Sequence, residues 1–98
     1  MKKYAGARTI DGVLVTVDGE RLDERFDLKR HVDSWFEWGY PGNAPRQLAL
    51  ALLADHLDDD AKALELTEAF MAEVVAIFDN EWELTGEEID RALRESAG

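Results

Sequence analysis

Gly39-Tyr40-Pro41-Gly42-Asn43-Ala44-Pro45-Arg46-Gln47-Leu48-Ala49-Leu50-Ala51-Leu52-Leu53-Ala54 is where the chain changes character, from turn-punctuated β-like runs to helical periodicity. Pro41-Gly42 suits the centre of a type II turn, because proline presets φ and glycine accepts the positive φ that follows. Asn43 or Ala44 is placed to cap a helix, with Pro45 in its first turn, where a missing N–H costs nothing. Leu48, Leu52 and His56 follow an i, i+4 row, and Leu50, Leu53 and Leu57 fill a neighbouring one. A helix over 45–57 with most of its surface buried is predicted.

Upstream, residues 1–28 read as β-rich. Tyr4 to Arg8 and Val13 to Val17 are short β-like runs separated by Thr9-Ile10-Asp11-Gly12, a hairpin signal. Asp18-Gly19 repeats that turn chemistry, so Glu20 to Leu28 returns as a third short strand with Leu22, Phe26 and Leu28 as its apolar positions. Residues 29–44 form a connection dense in aromatics, glycine and proline, of the kind that is packed or functional. In extended chain Phe36 and Trp38 share one face and Trp35 and Glu37 the other, so half of this aromatic group enters the core.

Downstream, Asp58-Asp59-Asp60 breaks the first helix and sets acid before a second, over 61–78, where negative charge favours a helix amino end. Ala63, Leu66, Phe70, Val74 and Ile77 mark its apolar stripe, widened by Leu64, Met71, Val75 and Phe78. Glu81-Trp82-Glu83-Leu84 reads as a crossing to a last helix over 86–96. That helix opens with a capping box, Thr85-Gly86-Glu87-Glu88, and carries a narrow stripe of Ile89, Ala92 and Leu93. The expected architecture over 1–98 is a single α+β domain, an N-terminal β-hairpin or short meander packed against three helices.

With 98 residues, 46% of them hydrophobic, there is material for one small core and no second one. The absence of cysteine excludes disulfides, thiolate metal sites and a cysteine nucleophile, and points to the cytoplasm. The longest apolar run, Leu48 to Ala54, is far short of the about 20 residues of a membrane span, so no membrane partner is expected. His31 and His56 lie outside any metal-helix spacing, and the adjacent aspartates near His56 point in different directions; no metal and no cofactor is implied. Ser34 and Ser96 lack a nucleophile context, and no carboxylate pair is singled out among 22 acids, so no catalytic residue is assigned.

Charge is the more informative property. The net charge is −11, and it is unevenly spread: residues 1–30 are nearly balanced, whereas 31–98 hold only Arg46, Lys62, Arg91 and Arg94 against a large excess of acid. Such a surface repels a phosphate backbone, which argues against direct nucleic-acid binding, and it has three ordinary readings: plain solubility, adaptation to high salt, or complementarity to a basic, nucleic-acid-binding protein partner. The carboxylates available for such a partner are Asp58, Asp59, Asp60, Glu65, Glu68 and Glu73 on the helices, and Asp79, Glu81, Glu83, Glu87, Glu88 and Asp90 near the last one.

Phe36-Glu37-Trp38-Gly39-Tyr40-Pro41-Gly42-Asn43-Ala44-Pro45-Arg46-Gln47-Leu48-Ala49-Leu50-Ala51-Leu52-Leu53 resembles the signature of a small bacterial and phage family, domain of unknown function 6166. Lys3, Tyr4, Gly6 and Arg8, the strand and turn from Val15 to Leu22, and Trp82-Glu83-Leu84-Thr85 with Glu88-Ile89 extend the resemblance over nearly the whole chain. It departs at Arg30 to Trp35, where only His31 matches an Asn-His-Ser-Pro-like run. The resemblance implies a prokaryotic or phage context and supplies no activity or catalytic residue.

Two functional expectations follow from different classes. The first is a non-enzymatic acidic binding module of phage or mobile-element type. Its carboxylates would imitate phosphates toward a basic, nucleic-acid-binding host complex, as an anti-CRISPR or anti-restriction inhibitor does. The second is a small-molecule, anion-binding or enzymatic domain that uses Trp38, Gly39, Tyr40, Gly42, Arg46 and Gln47, with Arg46 holding an anion at the helix start. Salt adaptation without any acidic-surface function is a third reading, and homo-oligomerisation is left open.

Overall fold

A computed structural model describes residues 2–97; Met1 and Gly98, the ends of the expected 1–98 domain, lie outside the described residues. The amino-terminal half builds three strands, β1 (Lys3–Thr9), β2 (Gly12–Val17) and β3 (Glu20–Arg21). The helices are α1 (Asn43–Leu57), α2 (Asp60–Glu73) and α3 (Gly86–Ala97), with a 3-10 turn at Val75–Ile77 and a fourth strand, β4 (Glu81–Thr85), before α3. The architecture is α+β: an antiparallel sheet in the order β3-β2-β1-β4 together with three helices.

The hairpin closes as its turn residues dictate. Thr9 pairs with Gly12 around Ile10-Asp11, and the Thr9 hydroxyl donates to the Gly12 carbonyl at 2.7 Å. Asp18 and Gly19 both take positive φ, 50° and 89°, which is the backbone of a type I′ turn leading into β3. The third strand is shorter than the 20–28 expected from the sequence. Asp23 turns the chain by accepting the Arg25 N–H at 2.7 Å, and Arg25 takes a φ of 58°, which no strand can hold.

One face of the sheet is covered. Tyr4, Val15, Trp82 and Leu84, with Leu22 just past β3, are buried, and the alternating Lys3, Leu14, Glu81 and Glu83 are exposed. Every residue from Leu48 to Leu53 is fully buried, so α1 is the central element of the core rather than an amphipathic surface helix. Its amino end is Gly42 in extended backbone without a side-chain cap; Asn43 is already helical and its Oδ1 instead accepts from Arg46 at 2.9 Å. Asp58 ends α1 in a left-handed conformation, and Asp59 caps α2 by accepting the Lys62 N–H at 3.0 Å.

Two element assignments from the sequence need correction. The helix expected over 61–78 stops at Glu73, because the β-branched run Val74-Val75 passes into the 3-10 turn, whose Val75 carbonyl accepts the Gly39 N–H at 3.1 Å. Ile77, placed on the apolar stripe by periodicity, is therefore 76% exposed. The segment Glu81–Thr85, read as a crossing, is β4, paired antiparallel to β1 with Gly6 opposite Trp82. A Cβ on Gly6 would stand 2.3 Å from the Trp82 indole nitrogen, so only glycine lets this tryptophan lie against β1. The capping box forms as expected: the Thr85 N–H donates to Glu88 at 2.9 Å and the Glu88 N–H to the Thr85 hydroxyl at 3.2 Å. Among the described residues no helix is long and apolar enough to cross a membrane.

Candidate functional site

The aromatic connection delivers its side chains in two directions. Phe36 and Trp38 are buried, Trp38 completely, whereas Trp35 and Tyr40 remain about half exposed. Trp38 meets Trp82 edge-on at 5.8 Å, Phe78 stacks on Trp82 at 4.3 Å, and the Trp38 indole N–H donates to the Asp79 carbonyl at 2.7 Å. The segment Phe78 to Glu81 is thereby fixed beside the aromatic loop, at the end of the sheet where β1 stops and β4 starts.

Arg8 joins the two. Its guanidinium donates to Asn80 Oδ1 at 2.6 Å, to the Trp38 carbonyl at 2.7 Å and to Glu37 at 3.0 Å, and it lies 4.8 Å from the Trp38 ring centre. Gly39, with a φ of 87°, passes close beneath this arginine and the Phe78 carbonyl. An open cleft of about 870 Å³ results, lined by Arg8, Trp38, Gly39, Tyr40, Asp79 and Glu81 among others. Arg8 is internally neutralised by Glu37, whereas Asp79 and Glu81 are exposed and have no ion-pair partner among the described residues. The cleft is thus net negative, with an aromatic ring on its wall.

The remaining acidic candidates are distributed around the molecule. Asp60 pairs with Arg25, Glu65 with Lys62, Glu68 with Arg46, Glu83 with Lys3, and Asp90 with His56. Asp59 and Glu88 are helix caps. Asp58 and Glu73 flank opposite ends of α2, about 20 Å apart at 1.5 Å per residue, and Glu87 stands in the first turn of α3. Asp79 and Glu81 share the Arg8 cleft, and Glu81 also lines, with Glu83, a shallow groove beside Ala5 and Ala7 of β1.

The six loop candidates also separate. Trp38, Gly39 and Tyr40 line the cleft. Gln47 is fully buried and is spent on structure: its amide donates to the Glu24 carbonyl at 2.7 Å and the Lys29 carbonyl at 3.0 Å, and its oxygen accepts the His31 N–H at 2.7 Å. Gly42 lies under the Tyr40 ring, where a Cβ would stand 2.9 Å from a ring carbon. Arg46 faces elsewhere, into a separate cavity with Lys29 and His31. Arg8, Phe78 and Asn80 were not legible as site residues, because nothing local to them signals a partner some 30 to 70 positions away.

A family described as "Family of unknown function (DUF6166)" matches residues 4–95. The chain belongs to this family. The match runs from β1 to near the end of α3 and includes every residue of the cleft and of both candidate sets. No curated protein and no solved structure matches this DUF6166 chain. Among the described residues no group of three or more His, Asp or Glu side chains is arranged to hold a metal ion.

Proposed function

We propose that this chain is a non-enzymatic protein-binding module of the cytoplasm whose docking surface is the Arg8–Glu81 cleft, and that its partner presents a basic segment. The observation that carries this reading is the pair of unpartnered carboxylates, Asp79 and Glu81, beside the half-exposed Tyr40 ring. A lysine or arginine side chain satisfies both features at once, pairing with a carboxylate and covering the ring. A nucleic-acid-binding complex is the partner class such acidity suits, and inhibition of a phage-defence complex is the role the acidic character suggests.

The narrower site is preferred to a wide phosphate-imitating surface for an electrostatic reason. Carboxylates already paired with Arg25, Lys62, Arg46 and Lys3 present little net field to a partner. A titration of isotope-labelled protein with an Arg- and Lys-rich peptide, followed by amide NMR, tests the assignment. Saturable shifts centred on Tyr40, Asp79 and Glu81, lost in D79K/E81K, are expected. Shifts spread over α2 and α3 instead, unaffected by that variant, would refute it.

A further inference from the structure

The segment after β3 and the first turn of α1 enclose a second, differently charged cavity that the docking surface does not use. It has a volume of about 410 Å³ and is lined by Leu28, Lys29, His31, Arg46, Leu64, Thr67 and Glu68. In a chain of net charge −11, this is a place where cationic groups converge. Arg46 uses its Nε on Glu68 at 2.8 Å and its Nη1 on Asn43 at 2.9 Å. Its second amine, the Lys29 ammonium and the His31 ring have no hydrogen-bond partner among the described residues. The proximity is felt electrostatically: the His31 pKa is lowered by burial first and then by Lys29 and Arg46, while Glu68 opposes the shift.

We infer that this cavity binds a small organic anion, its anionic group held by Lys29 and Arg46 and its apolar body laid against Leu28 and Leu64. The chemistry of the lining sets these roles. Lys29 and Arg46 supply charge-assisted donors, and Leu64, 40% exposed, supplies apolar wall on the helix opposite. The Thr67 hydroxyl already donates to the Ala63 carbonyl at 2.7 Å, so it has no proton left for the ligand. Gln47 holds the backbone of Glu24, Lys29 and His31 against α1, which fixes the basic segment before any ligand arrives. The volume falls within the range of about 300–1,000 Å³ usual for small-molecule sites. Glu68 is the built-in competitor for Arg46, so its removal frees the arginine for the ligand.

The test is an amide NMR titration of the full chain with phenyl phosphate and, separately, with benzoate, against inorganic phosphate. Saturable shifts at Lys29, His31, Arg46 and Glu68 are expected with an aryl anion, and the tighter of the two identifies the anionic group. Inorganic phosphate is expected to bind about tenfold more weakly, for want of the apolar contact. Lys29→Gln weakens binding about tenfold through loss of one charged contact, and Glu68→Gln strengthens it several-fold; neither residue is in the core, so both variants remain folded. Absence of saturable shifts from both aryl anions, in wild type and in Glu68→Gln, overturns the inference. Shifts indifferent to Lys29→Gln overturn it equally, and equal binding of inorganic phosphate overturns the apolar part of it.

Discussion

Gly6 and Trp82 face each other across β1 and β4 with no room between them, and the Trp82 indole nitrogen is buried without a hydrogen-bond partner among the described residues. Gly6→Ala forces the ring out of place, an overpacking cost of about 1–3 kcal/mol or more, measurable by urea unfolding. Trp82→Phe removes the unpartnered N–H and part of the obstruction, so Gly6→Ala is expected to cost less on that background; an additive double-mutant cycle would contradict the contact. Gln47→Leu leaves three part-buried backbone groups, the Glu24 and Lys29 carbonyls and the His31 N–H, without their side-chain partner, and the expected outcome is a loss of about 1–3 kcal/mol in urea unfolding. Tyr4 has a different signature. Its hydroxyl donates to Asp55 at 2.7 Å, and burial, reinforced by Asp55, pushes its pKa well above the ordinary tyrosine range. A phenol held neutral in the fold contributes stability that is intact below the unfolded value of about 10 and declines as pH rises beyond it. Tyr4→Phe is expected to flatten that alkaline decline in a pH series of thermal unfolding. His31 acts at the opposite end: its lowered pKa, set by burial and by Lys29 and Arg46 against Glu68, means stability is lost as pH falls below about 6.5.

Elements differ in how far their causes lie from them in sequence. The β1–β2 hairpin and the α3 capping box were readable because Thr9 to Gly12 and Thr85 to Glu88 carry their own turn and cap chemistry. α1 was readable from its periodicity and from Pro45, but the expected type II turn and side-chain cap do not form, because Gly42 is extended, with a φ of 170°, and itself occupies the cap position. β4 was not, because five alternating residues become a strand only against β1, whose pairing partners stand nearly 80 positions earlier. The end of α2 was misread for a related reason: apolar periodicity continues to Phe78, and what stops the helix includes a bond from Gly39, far away in the chain. The candidate site followed the same division. Tyr40, Asp79 and Glu81 were identifiable by residue type, but their meeting around Arg8 is a product of the sheet. At α3, Thr85→Ala removes half of the capping box and should cost about 1 kcal/mol, with faster amide exchange confined to the first turn of that helix. Uniform acceleration across α1 and α2 would mean that α3 is integral to the cooperative core.

For the molecule as a whole, the radius of gyration of 12.1 Å is close to the about 12.6 Å expected of a compact chain this long. The long aromatic connection is therefore packed into the body. A core of this kind, with Leu48 to Leu53 fully buried, should hold the chain folded in dilute buffer despite its net charge of −11. Added salt then raises the melting temperature by a few degrees, through screening of the unpaired carboxylates over about 10 Å. Unfolding at low salt, reversed only by molar potassium chloride, would instead favour salt adaptation. The distribution of ion pairs leaves the Arg8–Glu81 cleft as the acidic, aromatic-walled surface on which the functional reading depends. The most direct measurement is a quantitative pull-down from a prokaryotic lysate at low and moderate salt, comparing wild type with D79K/E81K and with a control reversed on α2, E65K. A stoichiometric basic partner that wild type and E65K capture, that salt weakens and that D79K/E81K loses is the result the account predicts. Equal capture by all three proteins, or loss in E65K alone, would contradict it.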